Sequence, residues 1–420
     1  MQFQKSIKAL DFLKGFSLTL VIVAHLRIYW NNGQWKSAGM LIYMIFGPLG
    51  PAVFILCSMV GLILSLSRGA ENGKLKNNLT RILKRALVFL AIGAIINLIL
   101  IWDLFPDPNI PWFYKILGTI FVWNIITFMG VAQIILYLIR KLKIKYQIVG
   151  VILVFIFYYI MILVIIQECN RLDINYQTDG IHPEQAMKSW AIIIYMLLFF
   201  NNSMAPFMPW LGLIFLANIV YTKFADAWNK RKEIAVKKEI REIRYISLII
   251  MLTGMVIGFY LTKGEFSTLG YQILIADGTV WNESWGGFPM FLHGNTVPFV
   301  LFSFGLSSFI LINLIAGMDL HGRRYKGMSI LIRFGKYSLT VFLVHAVAAL
   351  IPVRVSLPMF PLAYAGFLSL FLIAFNAWEI KLKGKGSLEW FIRYYLDLDV
   401  LKYINNKLSK KEDVYKFKND

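Results

Sequence analysis

Apolar runs broken by short polar stretches set the pattern of this chain. Ten of them approach the roughly 20 residues that a helix needs to cross a hydrocarbon core about 30 Å thick. They are residues 16–30, 40–66, 86–102, 117–139, 149–166, 204–221, 246–261, 297–318, 331–353 and 363–380. Several are short and borrow flanking residues, the first from the turn that carries Asp11. A further apolar stretch, 189–201, is too short to cross before "NNSMAPFMPW" and is expected at the interface or half-buried. The pattern predicts an all-α, polytopic integral membrane protein with about ten transmembrane helices, 1–385 forming one transmembrane domain and 386–420 a basic cytosolic tail.

Lysine and arginine test that count, because retained cations mark cytosolic loops. With the N-terminus inside, 36 of the 43 Lys and Arg residues fall in the N-terminal segment, the even-numbered loops and the tail. The others, Arg27, Lys36, Lys115, Arg171, Lys188, Lys263 and Arg354, lie on the opposite side or near its boundary. Both termini are therefore expected in the cytosol and the protein in the plasma membrane. An eleventh crossing would break the alternation.

Composition agrees with this reading. A chain of 420 residues with 58% hydrophobic and 16% charged side chains is too apolar for a soluble enzyme of its size. The net charge of +20 follows loop parity rather than one continuous face. That is how topology signals and contacts with anionic lipids are arranged, so membrane lipids are expected partners and nucleic acid is not. The first apolar run lacks a small-residue cleavage site and reads as a retained signal anchor. Cys57 in an apolar run and Cys169 in a polar loop leave the redox compartment open.

Candidate chemistry enters with two histidines. In "LDFLKGFSLTLVIVAH", His25 follows Lys14 by eleven residues, and eleven steps of 100° return a helix to nearly the same face. With Lys14 at the cytosolic boundary, His25 lies about 16 Å deeper on that stripe, close to the bilayer centre. In "RFGKYSLTVFLVH", His345 follows Lys336 by nine residues, about 14 Å inward. Ionisable groups at such depth are costly and face the protein interior or a wet cavity. The plain alternative is a neutral histidine hydrogen-bonded between helices. His182, His293 and His321 fall in loops and read as solvated or interfacial.

"IKALDFLKGFSLTLVIVAH" resembles the first-helix signature of transmembrane acyltransferases: a basic residue, "LD", two residues, a basic-glycine pair, an apolar run and a terminal histidine. Lys14 stands where the family has arginine. "VFILCSMVGLILSLSR", "FMPWLGLIFLANIV" and "FGKYSLTVFLVH" follow in the order of the branch that includes heparan-alpha-glucosaminide N-acetyltransferase and its prokaryotic relatives. The second of these has alanine in place of an expected glycine. The resemblance covers residues 5 to about 350. In heparan-type enzymes the proposed catalytic histidine lies after the first span, in a His-Ala-Pro-Trp-like sequence, and residues 31–52 here contain no histidine. The acyltransferase-3 branch uses the histidine that ends the first span, which corresponds to His25.

The resemblance implies acyl-CoA, acetyl-CoA in particular, as co-substrate, no metal, and transfer of the acyl group to a hydroxyl or amine of a glycan-type acceptor on the outer side. His25, or else His345, would take the acceptor's proton. Lys14, Arg81, Lys84, Arg85 and Lys336 are cations at the inner boundary suited to phosphate, and each could equally be a positive-inside anchor. Asp11, one turn before Lys14, would hold its ammonium. "GPLGPAV" interrupts the second apolar run, and its amides are candidate oxyanion donors, with a plain proline kink as the alternative. Trp281 and Trp285, with Asp277 and Glu283, suit stacking on a sugar ring, although interfacial tryptophans also anchor bilayers. A homo-oligomer is left open. A transporter or flippase for a small anionic or lipid-linked solute would also place ionisable groups and broken helices at the midplane.

Overall fold

The computed structural model describes residues 7–30, 46–71, 75–100, 124–172, 207–262, 290–292, 296–323, 327–349 and 354–397. Their regular structure is helical, apart from one backbone bridge in which the Val355 N–H donates to the Trp30 carbonyl at 3.0 Å. The helices are α1 (Lys8–Trp30), α2 (Pro51–Glu71, entered through a 3-10 turn, Gly47–Leu49), α3 (Leu75–Leu100), α4 (Ile125–Ile139), α5 (Ile144–Arg171) and α6 (Phe207–Asn229). They continue with α7 (Glu233–Thr262), α8 (Val297–Leu314, running into a π-helical turn, Ile315–Leu320), α9 (Met328–Lys336), α10 (Ser338–Ala349), α11 (Phe360–Leu382) and α12 (Leu388–Asp397).

Seven segments among the described residues are long and apolar enough to cross a membrane: Lys8–Leu26, Gly47–Arg68, Ile144–Ile165, Phe207–Asn229, Glu233–Leu261, Val297–Leu320 and Phe360–Leu382. The chain is an all-α polytopic membrane protein. Of the three other expected spans, 86–102 and 117–139 fall partly outside the described residues, as the stretch 189–201 does entirely. The third, 331–353, is divided between α9 and α10.

Burial sorts the spans into two layers. Between 61% and 72% of the spans formed by α1, α2, α6 and α8 is buried, against 33%, 22% and 11% of those formed by α5, α7 and α11. The first four make the core, and the other three present apolar faces suited to lipid, where a leucine gains nothing by packing inward. Close packing and hydrogen bonds must therefore hold the bundle together.

Two glycines provide the closest approach. A Cβ on Gly15 would lie 2.0 Å from the Leu331 carbonyl oxygen, and one on Gly335 would lie 1.7 Å from that of Asp11. Helices α1 and α9 therefore touch backbone to backbone, which only residues without a side chain permit. The entry to α1 is fixed by Asp319, at the end of the α8 π-turn, whose two carboxylate oxygens accept the Lys8 and Ala9 N–H groups at 2.8 and 3.0 Å. These are amides of the first helical turn, which have no partner within the helix, and a carboxylate there also faces the positive end of the dipole.

The division of the ninth apolar run has a local cause and a distant support. Tyr337 leaves helical dihedrals (φ −112°, ψ 37°) while its N–H still reaches the Arg333 carbonyl. The amides freed at the start of α10 are then taken by Glu389 of α12, which accepts from Leu339 N–H (2.5 Å), Thr340 N–H (3.3 Å) and Thr340 Oγ1 (2.6 Å). The segment after residue 385 thus begins with a helix that packs against the bundle.

Candidate active site

Helices α1 and α10 carry the two histidines to each other. From the Gly15–Gly335 contact, His25 lies ten residues along α1 and His345 ten residues beyond Gly335, so equal lengths of chain, about 15 Å if helical, bring both rings to one level. His25 Nδ1 and His345 Nε2 are 2.7 Å apart, and the rings stack with centroids 5.0 Å apart and planes 22° from parallel. Phe342, one turn before His345, sets its ring edge-on to both, at 6.1 and 4.9 Å. The pair is closed in, with His25 6% and His345 0% exposed.

An N–H···N bond needs a hydrogen on one nitrogen and a lone pair on the other. His345 Nδ1 is buried without a hydrogen-bond partner, and either ring can be the donor of the shared bond, according to tautomer.

The cations gather at the other end of α1. A cavity of about 410 Å3 is lined by Lys14, Arg81, Arg85 and Lys336. Along α2 it follows the stripe Phe54, Ser58, Leu62 and Leu66, twelve residues or about 18 Å of helix. Lys14 and Lys336 adjoin the two contact glycines in sequence, so the glycine contact also places two ammonium groups on one wall. Arg85 lies over the Phe89 ring at 5.3 Å, and Lys336 over the Tyr337 ring at 5.0 Å. Both interactions hold a cation by a neighbouring ring of the same chain segment without neutralising it. Glu389 lines the same cavity with its oxygens turned to the start of α10.

A family model described as heparan-alpha-glucosaminide N-acetyltransferase, catalytic, matches residues 7–265, which takes in α1 with His25 and the cavity walls from α1, α2 and α3, with Lys14, Arg81 and Arg85 among its cations. The chain belongs to this family. Comparison with curated proteins and with solved structures returned no match. The match makes the chain a member of a membrane acetyltransferase family, while α10 with His345 and α12 with Glu389 lie beyond the matched residues.

Of the residues expected in the candidate site, Lys14, Arg85 and Lys336 line the cavity together with Arg81, and Lys84 does not. Asp11 is outside the lining as well. Its carboxylate lies near enough to Lys14 and Lys336 to feel both charges, and its backbone carbonyl forms part of the glycine contact. Trp281 and Trp285, with Asp277 and Glu283, lie outside the described residues, as do His182 and His293. His321 closes the π-turn through Nδ1 to the Ala316 carbonyl at 2.6 Å. In "GPLGPAV" the Gly50 N–H donates to the Phe46 carbonyl at 2.9 Å, and the Gly50 carbonyl accepts from Ser17 Oγ at 2.6 Å. The Gly50 N–H is thus spent on the turn, while its carbonyl joins α1 to α2.

Two cavity residues lie outside the set that the sequence motifs point to. Glu389 stands in an ordinary amphipathic stretch, "LEWFIRYYLD". Gln133 is the single polar side chain in the middle of α4 and is 2% exposed. Its Nε2 donates to the Met129 carbonyl at 2.9 Å, and its Oε1 is buried without a partner. An orphan acceptor of this kind costs about 1–3 kcal/mol. A lone glutamine in an apolar helix is the signal that was available.

Proposed function

We propose that this protein transfers an acyl group, acetyl in particular, from cytosolic acyl-CoA to a hydroxyl or amine of a glycan-type acceptor on the outer side of the membrane. One observation carries the reading: two of the cavity's four cations, Lys14 and Lys336, stand on the segments that carry the buried histidine pair, α1 and the broken α9–α10, with Lys14 and His25 about 16 Å apart on one face of α1. The loop parity of Lys and Arg puts the cavity at the cytosolic boundary. Four cations there fit the phosphates of the donor, which stay at the rim while the thioester arm follows the α1 stripe past Leu18 towards His25. Both histidines lie outside the cavity lining, and Leu18 is fully buried, so the arm must part these side chains to arrive.

At the pair the chemistry is acid–base. The acceptor oxygen or nitrogen attacks the thioester carbonyl carbon, its proton passes to His25 Nε2, the carbon–sulfur bond breaks, and the proton then returns to the leaving thiolate, giving acylated acceptor and CoA. In this tautomer His25 Nδ1–H is the donor and His345 Nε2 accepts throughout, which orients the ring and stabilises the imidazolium as it forms, as a carboxylate does for histidine in a triad. The test is incubation of the purified protein with radiolabelled acetyl-CoA and mixed glycan acceptors. Acceptor-dependent release of CoA is expected. Acetyl-CoA that neither binds nor reacts would favour the transporter reading.

A further inference from the structure

We infer that Gln133 is a specificity-determining residue of the cationic cavity: its side-chain oxygen accepts an N–H hydrogen of the bound donor. The inference rests on the proposed donor reading and adds to it a neutral contact that the cations cannot make.

Gln133 lines the cavity, with Met129 one turn before it on α4, and the hydrogen bond from Nε2 to the Met129 carbonyl fixes which end of the amide is oxygen. A carbonyl can accept from the NH2 end only, so Oε1 is left on the other side. That oxygen is buried and unpartnered in a side chain 98% withdrawn from solvent. Native proteins rarely leave a buried acceptor unmet unless a ligand or an ion completes it.

The surroundings choose the kind of partner. Helices α3 and α4 are antiparallel in a tight register: a Cβ on Gly130 would meet the Ala86 carbonyl at 3.0 Å, and one on Gly93 would meet Thr127 Cγ2 at 2.4 Å. One turn beyond Gly130, Gln133 therefore lies level with Arg85, among the phosphate-binding cations. An anion cannot satisfy an acceptor oxygen. A free ammonium would be repelled by Lys14, Arg81, Arg85 and Lys336 around it. A neutral N–H beside a phosphate satisfies both. Acyl-CoA offers such a group at two places, the exocyclic amine of its adenine and the amides of its pantetheine arm. Because Oε1 accepts, a ligand that turned only an acceptor towards it would be rejected, which is how a buried polar group discriminates far more sharply than an apolar wall.

The experiment uses the full chain in lipid nanodiscs. Binding of CoA, adenosine 3′,5′-bisphosphate and phosphopantetheine is measured for the native protein, Gln133→Met, which keeps the volume without the acceptor, and Gln133→Glu, which keeps an acceptor oxygen. Thermal stability is followed with and without ligand. Gln133→Met is expected to weaken CoA by about tenfold, the loss of one hydrogen bond to a buried acceptor. The ligand-free melting temperature should stay the same or rise, a combination that a purely structural glutamine would not produce. Gln133→Glu keeps an acceptor but sets a carboxylate beside the phosphates, so it should bind CoA more weakly than the native protein. The fragment that shows the same loss identifies the N–H: the bisphosphate if it is the base, phosphopantetheine if it is the arm. Unchanged affinity of Gln133→Met for CoA and both fragments, with the native protein binding CoA normally, overturns the role of Gln133 alone. A native protein that binds no CoA overturns the donor reading, and this inference with it.

Discussion

His25 Nδ1 and His345 Nε2 meet at 2.7 Å between α1 and α10, ten residues beyond the contact of α1 with α9 through Gly15 and Gly335. The hydrogen bond and the glycine contact are two ends of one arrangement. The glycines set how closely α1 and α9 approach, and the equal spacing converts that approach into a matched depth for the rings. The same contact holds Lys14 and Lys336 at the cavity wall.

Gly335→Ala should therefore damage the site and the fold together. A methyl group at this position has a carbonyl oxygen 1.7 Å away, and forcing the helices apart is expected to cost about 1–3 kcal/mol, the range for overpacking a tight core. Turnover should fall with it, because the histidine separation depends on the crossing. Gly61→Ala is the control, since nothing lies within 4 Å of its Cβ, and alanine should be neutral or stabilising inside α2. Melting temperature and turnover of both variants provide the check.

Lys14→Ala should weaken acyl-CoA affinity while Lys14→Arg preserves it, because guanidinium is a better fork for phosphate. Equilibrium binding to the purified protein reads this directly. Unchanged affinity in Lys14→Ala would reduce Lys14 to an anchor at the bilayer boundary.

Asp319→Ala removes both acceptors from the first turn of α1. A loss of about 1–2 kcal/mol of stability is expected, the upper part of the range for a helix cap, with fraying at Lys8 and Ala9. Hydrogen exchange of those amides should rise before any global unfolding. Protection equal to that of the native chain would show that the cap is not what holds the entry of α1.

Much of this arrangement was legible in the sequence because it follows from period and length. Apolar runs gave the spans, and the eleven-residue step from Lys14 to His25 gave one face of one helix with its charged rim and buried ring. What the sequence left hidden depends on contacts between distant segments. The pairing of His25 with His345 spans 320 residues. The break at Tyr337 falls inside a single expected span, between Lys336 and Ser338, and is compensated by Glu389 from a helix that reads as part of a basic tail. The orphan oxygen of Gln133 becomes visible only when the lining of the cavity is known. Gly15 and Gly335 were present in the quoted motifs, yet their meaning as a crossing point required both helices at once.

A cysteine placed at Glu239 should resist an impermeant thiol reagent applied outside intact cells, whereas one at Glu283 should react. The expectation follows from the parity of basic loops. The reverse pattern would exchange the sides on which donor and acceptor are bound.

The central claim is that the buried pair is an acid–base device with His25 as the group that takes the proton. The most direct measurement is single-turnover acetyl transfer by His25→Ala and His345→Ala, with acetyl-CoA binding followed in parallel. His25→Ala is predicted to slow transfer by roughly two to four orders of magnitude, the usual range for a lost general base, with acetyl-CoA affinity nearly intact. His345→Ala should be less severe, because it removes the partner that orients the ring and not the base itself. Transfer that persists at the native rate in both variants would contradict the account.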